Sequence, residues 1–253
     1  MAVTKPHIVI VPGGWHSPKH FAPTTELLEA AGYTVHGVNL ASVNASPPLT
    51  DWRPDVAAIR STIEAAIGPD NNDVVVVMHS YGGLPTQDAI KGLNKASRRR
   101  GGVVRLVFIA AFLADEGTCL MDYIGGKPMS WFDVDESNNT VLPLTPHPTF
   151  YGDVDPALAD VSAATLRPHS YATFFNPVGP NPAWKFVPCT YLVCEDDAAT
   201  PVEAQDSMIE YARANGCQLD CVERIKASHS PFLSQPEWTA AAIRRACGEE
   251  VAE

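Results

Sequence analysis

Short runs of β-branched and aliphatic residues recur along this chain, each followed by a stretch with helical spacing, and that alternation constrains the fold most. His7-Ile-Val-Ile-Val-Pro12 reads as a buried strand. Pro18 to Ala31 then places Phe21, Leu27, Leu28 and Ala31 on one side and stops at Gly32. Tyr33 to Asn39 alternates like a strand. Thr50-Asp51 can cap a helix carrying Val56, Ile59, Ile63 and Ile67, closed by Gly68-Pro69. Asp73 to Met78 and Val103 to Ala110 are apolar strands, with a helix expected between them over Gly82 to Lys95. Cys189 to Cys194 and Leu219 to Ile225 follow as strands, trailed by helical stretches over Val202 to Asn215 and Pro236 to Cys247. Strands alternating with helices imply a mostly parallel sheet covered on both faces, the α/β class.

One region breaks the rhythm. From Ala114 to Pro188 the chain is rich in proline and aromatics, with one clear helical stretch, Pro156 to Leu166. It is too long for a connection and reads as a cap inserted over the sheet's carboxyl edge, at about 114–188 of a single domain spanning 1–253. The formal net charge of −11 would repel a phosphate backbone, which argues against nucleic-acid binding. The basic run Arg98-Arg99-Arg100 fits a solvated loop. No membrane span or export signal is apparent, since Met1 to Pro6 leads straight into the first strand. The six cysteines show no zinc-type pairs or dense framework and read as reduced thiols of a cytoplasmic protein. The partner expected is a small-molecule substrate, with a homodimer left open.

The chemistry concentrates at strand ends. Val74-Val-Val-Val-Met-His-Ser-Tyr-Gly-Gly83 runs a buried strand into Ser80, then paired glycines and a helix. A nucleophile elbow needs this context: a sharp turn holds the hydroxyl clear of the backbone, and small neighbours let strand and helix approach. Met78 stands where the G-x-S-x-G consensus has its first glycine. Tyr191 to Pro201 ends a strand in three acids, of which Asp197 is preferred as the imidazole's partner, with Asp196 the alternative and Glu195 still attached to the strand. Ile225 to Leu233 places His229 directly after the last strand. Taken singly, each feature has an ordinary structural explanation. Ser, Asp and His in that chain order, each at a strand's carboxyl end, point to a hydrolase triad. Val9-Ile-Val-Pro-Gly-Gly-Trp-His16 adds paired glycines after the first strand, nominating the backbone N–H groups of Gly14 and Tyr81 as oxyanion donors.

These motifs resemble the α/β-hydrolase superfamily over nearly the whole chain, and more closely the branch holding plant methylesterases, plant hydroxynitrile lyases and their bacterial and fungal esterase-like relatives. Pro12-Gly13-Gly14-Trp15-His16 is similar to the branch's H-G-x-W-H loop, with Pro12 replacing histidine, and His79-Ser80-Tyr81-Gly82-Gly83 matches its H-S-x-G-G elbow. Phe150-Tyr151-Gly152-Asp153 and Leu166-Arg167-Pro168 resemble two recurrent cap segments. The resemblance implies an α/β-hydrolase fold with an inserted cap, beginning at what is usually the third strand, and no metal or organic cofactor. The branch's lyases carry a threonine and a lysine where this chain has Gly13 and Ser230, so hydrolysis is favoured.

The expected activity is hydrolysis of a small apolar or aromatic ester, or a lactone, through an acyl-enzyme. Trp15, Trp131, Phe150 and Phe174 are the expected substrate-binding residues. His147 and His169, as lone histidines, read as surface residues. Two rival readings stand beside this one: the same triad used for C–C cleavage, lactone chemistry or cyclisation, and a receptor-like binding protein with vestigial hydrolysis.

Overall fold

The computed structural model describes residues 5–251, so Met1 to Thr4 and Ala252-Glu253, which the sequence reading included, lie outside it. In chain order the elements are β1 (His7–Val11), α1 (Ala22–Ala30), β2 (Val35–Gly37), α2 (Arg53–Ile67), β3 (Asp73–His79), α3 (Gly83–Ala89) and β4 (Gly102–Ile109). Next come α4 (Leu120–Tyr123), β5 (Phe132–Asp135), β6 (Thr140–Pro143), α5 (Pro146–Phe150), α6 (Pro156–Ala164) and β7 (His169–Ser170). The chain continues through β8 (Cys189–Cys194), α7 (Val202–Ala214), β9 (Leu219–Ile225), α8 (Pro231–Ser234) and α9 (Pro236–Ala246).

Six strands form the main sheet in the order β2-β1-β3-β4-β8-β9, every pairing parallel. Successive strand residues point to opposite faces, yet Val74 through His79 are all fully buried. Both faces of β3 are therefore covered, which explains its unbroken aliphatic run. Helices α1 and α9 pack together, as do α2 and α3. The sheet class read from the sequence is the one present.

Local differences have local causes. The helix expected over Gly82 to Lys95 stops at Ala89. Gly92 takes φ 75°, and the Leu93 carbonyl then accepts the Val103 N–H at 2.8 Å, turning the chain toward β4. Helix α2 begins at Arg53, whose N–H donates to the Asp51 carboxylate at 2.9 Å.

Between β4 and β8 the chain forms a second, antiparallel sheet, β5-β6-β7, with α4, α5 and α6 around it. Of these elements only α6 is legible in the sequence, because strands of four, four and two residues carry too little alternation to register. Among the described residues, no helix is long and apolar enough to cross a membrane.

Candidate active site

Ser80 sits where β3 turns into α3, at φ 50°. That left-handed conformation costs a non-glycine residue about 1–2 kcal/mol, so the turn must be held by its surroundings. The neighbours show how. A Cβ on Gly82 would lie 2.5 Å from the Pro12 carbonyl oxygen, and one on Gly83 would lie 2.5 Å from that of Phe112. Only glycine permits these approaches, so the loops after β1 and β4 clamp the turn from two sides. Met78, at the usual first glycine, is fully buried and simply continues the strand.

The acid and histidine loops are joined by backbone: the Glu195 N–H donates to the Ile225 carbonyl at 2.9 Å and the Asp196 N–H to that of Ala227 at 3.0 Å. His229 Nδ1 lies 2.7 Å from Asp197 Oδ2, with both side chains almost fully buried. The other Asp197 oxygen accepts the N–H groups of Ala199 and Thr200 at 2.8 and 2.9 Å. These bonds satisfy an acceptor-only carboxylate, so His229 donates from Nδ1 and its Nε2 lone pair is left available. Glu195 and Asp196 are exposed. Gln205 braces this loop, accepting from the Cys194 N–H and donating to the Cys194 and Thr200 carbonyls.

The structure brings His229 and Asp197 into contact. Among the described residues, no hydrogen bond joins Ser80 Oγ to His229; the two are related through shared neighbours. The ring of His79, next to Ser80, lies 4.4 Å from that of His229, and His79 Nε2 donates to the His229 carbonyl at 2.9 Å. Phe150 packs on the His229 ring and, with Ser80, lines one small cavity.

That cavity measures about 30 Å³, room for a water or two. Trp15, Trp131, Phe150 and Phe174 all line it, as do Tyr81 and Phe132. The indole N–H of Trp131 is buried without a partner among the described residues. The backbone N–H of Gly14 likewise has no bonded acceptor among the described residues. A Cβ on Gly14 would lie 3.9 Å from Tyr81 Cβ, so the two nominated donors are neighbours. Among the described residues, no cluster of three or more His, Cys, Asp or Glu is placed to hold a metal ion, and all six cysteines are free.

His147 is half-exposed beside Asp160, but His169, read from the sequence as a surface residue, is fully buried. Its ring packs on Tyr81 and Phe174, its Nε2 bonds Thr173 Oγ1 at 3.0 Å, and burial pushes it down to about 3. A lone histidine carries no sequence signal of its partners, so this could not be read in advance. Burial likewise pushes His16 and His79 well below the usual imidazole range, keeping both neutral. Asp55 is a further site residue that no sequence signal marks. Its buried carboxylate accepts from Tyr81 O–H at 3.0 Å and from the Ser42 N–H at 2.8 Å, and desolvation raises it above the ordinary aspartate range. It fixes the side chain of the residue after Ser80. In the sequence it looks like any acid in a first helical turn.

A family model described as the alpha/beta hydrolase family matches residues 8–242. The alpha/beta hydrolase nvfD of Aspergillus novofumigatus is 32% identical over 252 residues, covering 98% of each chain. Methylesterase 1 of Arabidopsis thaliana is 24% identical, covering 92% of each. Among solved structures, polyneuridine aldehyde esterase superposes with a TM-score of 0.76 at 21% identity, covering 96% of this chain and 99% of its own.

Proposed function

This chain belongs to the alpha/beta hydrolase family, and on that premise we propose that it hydrolyses a small apolar or aromatic carboxylic ester, or a lactone, through an acyl-enzyme on Ser80. One observation carries the reading: a serine held at φ 50° opens on an aromatic cavity whose Phe150 wall also covers an imidazole backed by a buried carboxylate.

His229 Nε2 takes the proton from Ser80 Oγ as the oxygen attacks the carbonyl carbon. The N–H groups of Gly14 and Tyr81 receive the resulting oxyanion, where one well-aimed donor is worth about 3 kcal/mol. The protonated imidazole, stabilised by Asp197, gives its proton to the departing alcohol. Water, deprotonated by the same nitrogen, then attacks the acyl-enzyme and releases the acid. The hydrogen bond from Ser80 Oγ to His229 Nε2 forms once substrate is bound, as such contacts are commonly long or misaligned in the free enzyme. A cavity of about 30 Å³ admits an acyl group only when the cap's aromatic side chains move aside. The esterase-like names of the relatives support ester cleavage over the same triad's use in C–C cleavage or cyclisation.

The test is hydrolysis of 4-nitrophenyl esters with labelling by an aryl phosphonate. Wild type should turn over the ester with a burst and take one phosphonate on Ser80, and Ser80→Ala should do neither while keeping its melting temperature. Full activity in Ser80→Ala would remove the nucleophile from this scheme. A wild type inert to every ester yet cleaving a β-diketone would transfer the triad to carbon–carbon chemistry. A ligand response that survives Ser80→Ala would favour a receptor-like role.

A further inference from the structure

We infer that the cap shapes the oxyanion hole, with His16, Tyr151 and His169 acting as positioning residues for the Gly14 loop; this rests on the esterase reading above. The loop cannot hold its own shape. Gly13 and Gly14 lack the side chains that restrict a backbone, and a Cβ on Gly13 would sit 2.9 Å from Ser80 Cβ and from His79 Nδ1. Proximity to the nucleophile thus forces a flexible residue at Gly13, immediately before the donor Gly14. The next residue, Trp15, adopts φ 64°, a conformation its own side chain disfavours.

Stiffness comes from elsewhere. His16 Nδ1–H donates to the Gly14 carbonyl at 2.7 Å, and Tyr151 O–H donates to His16 Nε2 at 2.9 Å. The Trp15 N–H points to His169 Nδ1 at 3.5 Å, and His169 Nε2–H donates to Thr173 Oγ1 at 3.0 Å. The two ends of the peptide between Gly14 and Trp15 therefore meet two buried imidazoles of opposite tautomer, an assignment made from the hydrogen-bond partners. The Arg167 N–H donates to the Trp15 carbonyl at 3.2 Å, and the Trp15 indole N–H to the Val141 carbonyl at 2.8 Å. Val141, Tyr151, Arg167 and His169 all belong to the segment between β4 and β8. Burial keeps both imidazoles neutral. That state is required: a proton on His169 Nδ1 would face the Trp15 N–H donor to donor.

The same cap turn reaches the other half of the site. Ser228, beside His229, donates its hydroxyl proton to the Asp153 carboxylate, with the Phe150 carbonyl at 3.2 Å from the same oxygen. Residues 150–153 thus touch the oxyanion loop through Tyr151 and the histidine loop through Asp153. A seated cap completes both, and a displaced one frees Gly14 to turn its N–H away.

The test compares Tyr151→Phe, His16→Leu and His16→Asn with wild type. The readouts are kcat and KM for a 4-nitrophenyl ester, and inhibition by an aryl trifluoromethyl ketone, whose serine adduct places an oxyanion in the hole. His16→Leu should lower kcat about 100-fold, the scale of losing one donor, with KM changed less than about threefold. Ketone affinity should fall in step. His16→Asn, whose amide can still reach the Gly14 carbonyl, should recover about tenfold, and Tyr151→Phe should lose about fivefold. Tyr151→Phe keeps its ring and serves if His16→Leu fails to fold. Unchanged kcat in the folded variants, or a raised KM with ketone affinity untouched, would reduce these residues to packing and overturn the inference alone. A wild type that neither cleaves esters nor binds the ketone would overturn the esterase reading and this inference together.

Discussion

Lowering the pH from 7.5 to 5.5 should unfold this protein far more readily than its carboxylates alone would predict, because three imidazoles are locked neutral inside it. His16, His79 and His169 are 2%, 0% and 0% exposed, and desolvation is the leading cause of each lowered pKa. In the unfolded chain each titrates near 6.5. A base whose folded pKa is depressed contributes stability that is full above its unfolded pKa and is lost as pH falls toward the folded value. Between pH 7.5 and 5.5 each unfolded imidazole gains most of a proton that the folded one refuses, which amounts to about 1.4 kcal/mol apiece. The three together cost about 4 kcal/mol, a large share of the stability of about 5–15 kcal/mol typical of a folded domain. Asp55 opposes this: burial raises its pKa, so the folded state takes up that proton first as pH falls. Urea unfolding at both pH values, at constant ionic strength, measures the net loss, and His169→Asn isolates one contribution. Asparagine keeps an acceptor for the Trp15 N–H but does not titrate, so the variant's pH-dependent loss should be smaller by about 1.4 kcal/mol. Wild-type stability that stays flat or rises on acidification, or an equal loss in His169→Asn, would refute the reasoning.

Gly83→Ala should cost about 1–3 kcal/mol in urea unfolding and most of the esterase activity, because its Cβ would meet the Phe112 carbonyl oxygen at 2.5 Å and push the elbow off the loop after β4. Asp55→Ala should cost about 2–4 kcal/mol by leaving the Tyr81 hydroxyl and the Ser42 N–H buried without an acceptor; Asp55→Asn, which can still accept, should cost less. Asp197→Asn should lower kcat by about three to four orders of magnitude while leaving the melting temperature within a few degrees, since the amide would favour the wrong imidazole tautomer. Trp131→Ala should widen the cavity and improve kcat/KM for bulky aryl esters relative to acetate esters by about tenfold, read directly from paired kinetics.

Whatever depends on chain neighbours was legible in the residues alone. The aliphatic run Val74 to Met78 needed cover on both faces, and Gly82 and Gly83 had to follow Ser80, so the α/β class and the strand ends were legible at once. Tertiary packing decided everything that joins distant residues. Asp197 and Asp196 are chemically alike and adjacent, and only burial against His229 separates them. His169 looked like a lone polar residue until the chain brought it beside Trp15, 154 positions away. Tyr151 meets His16 across 135 positions, and Asp55 meets Tyr81 across 26. Periodicity is written in adjacent residues because backbone geometry repeats every two or 3.6 of them. A hydrogen bond across the fold leaves no such mark, because its partners are chosen by how the two layers pack.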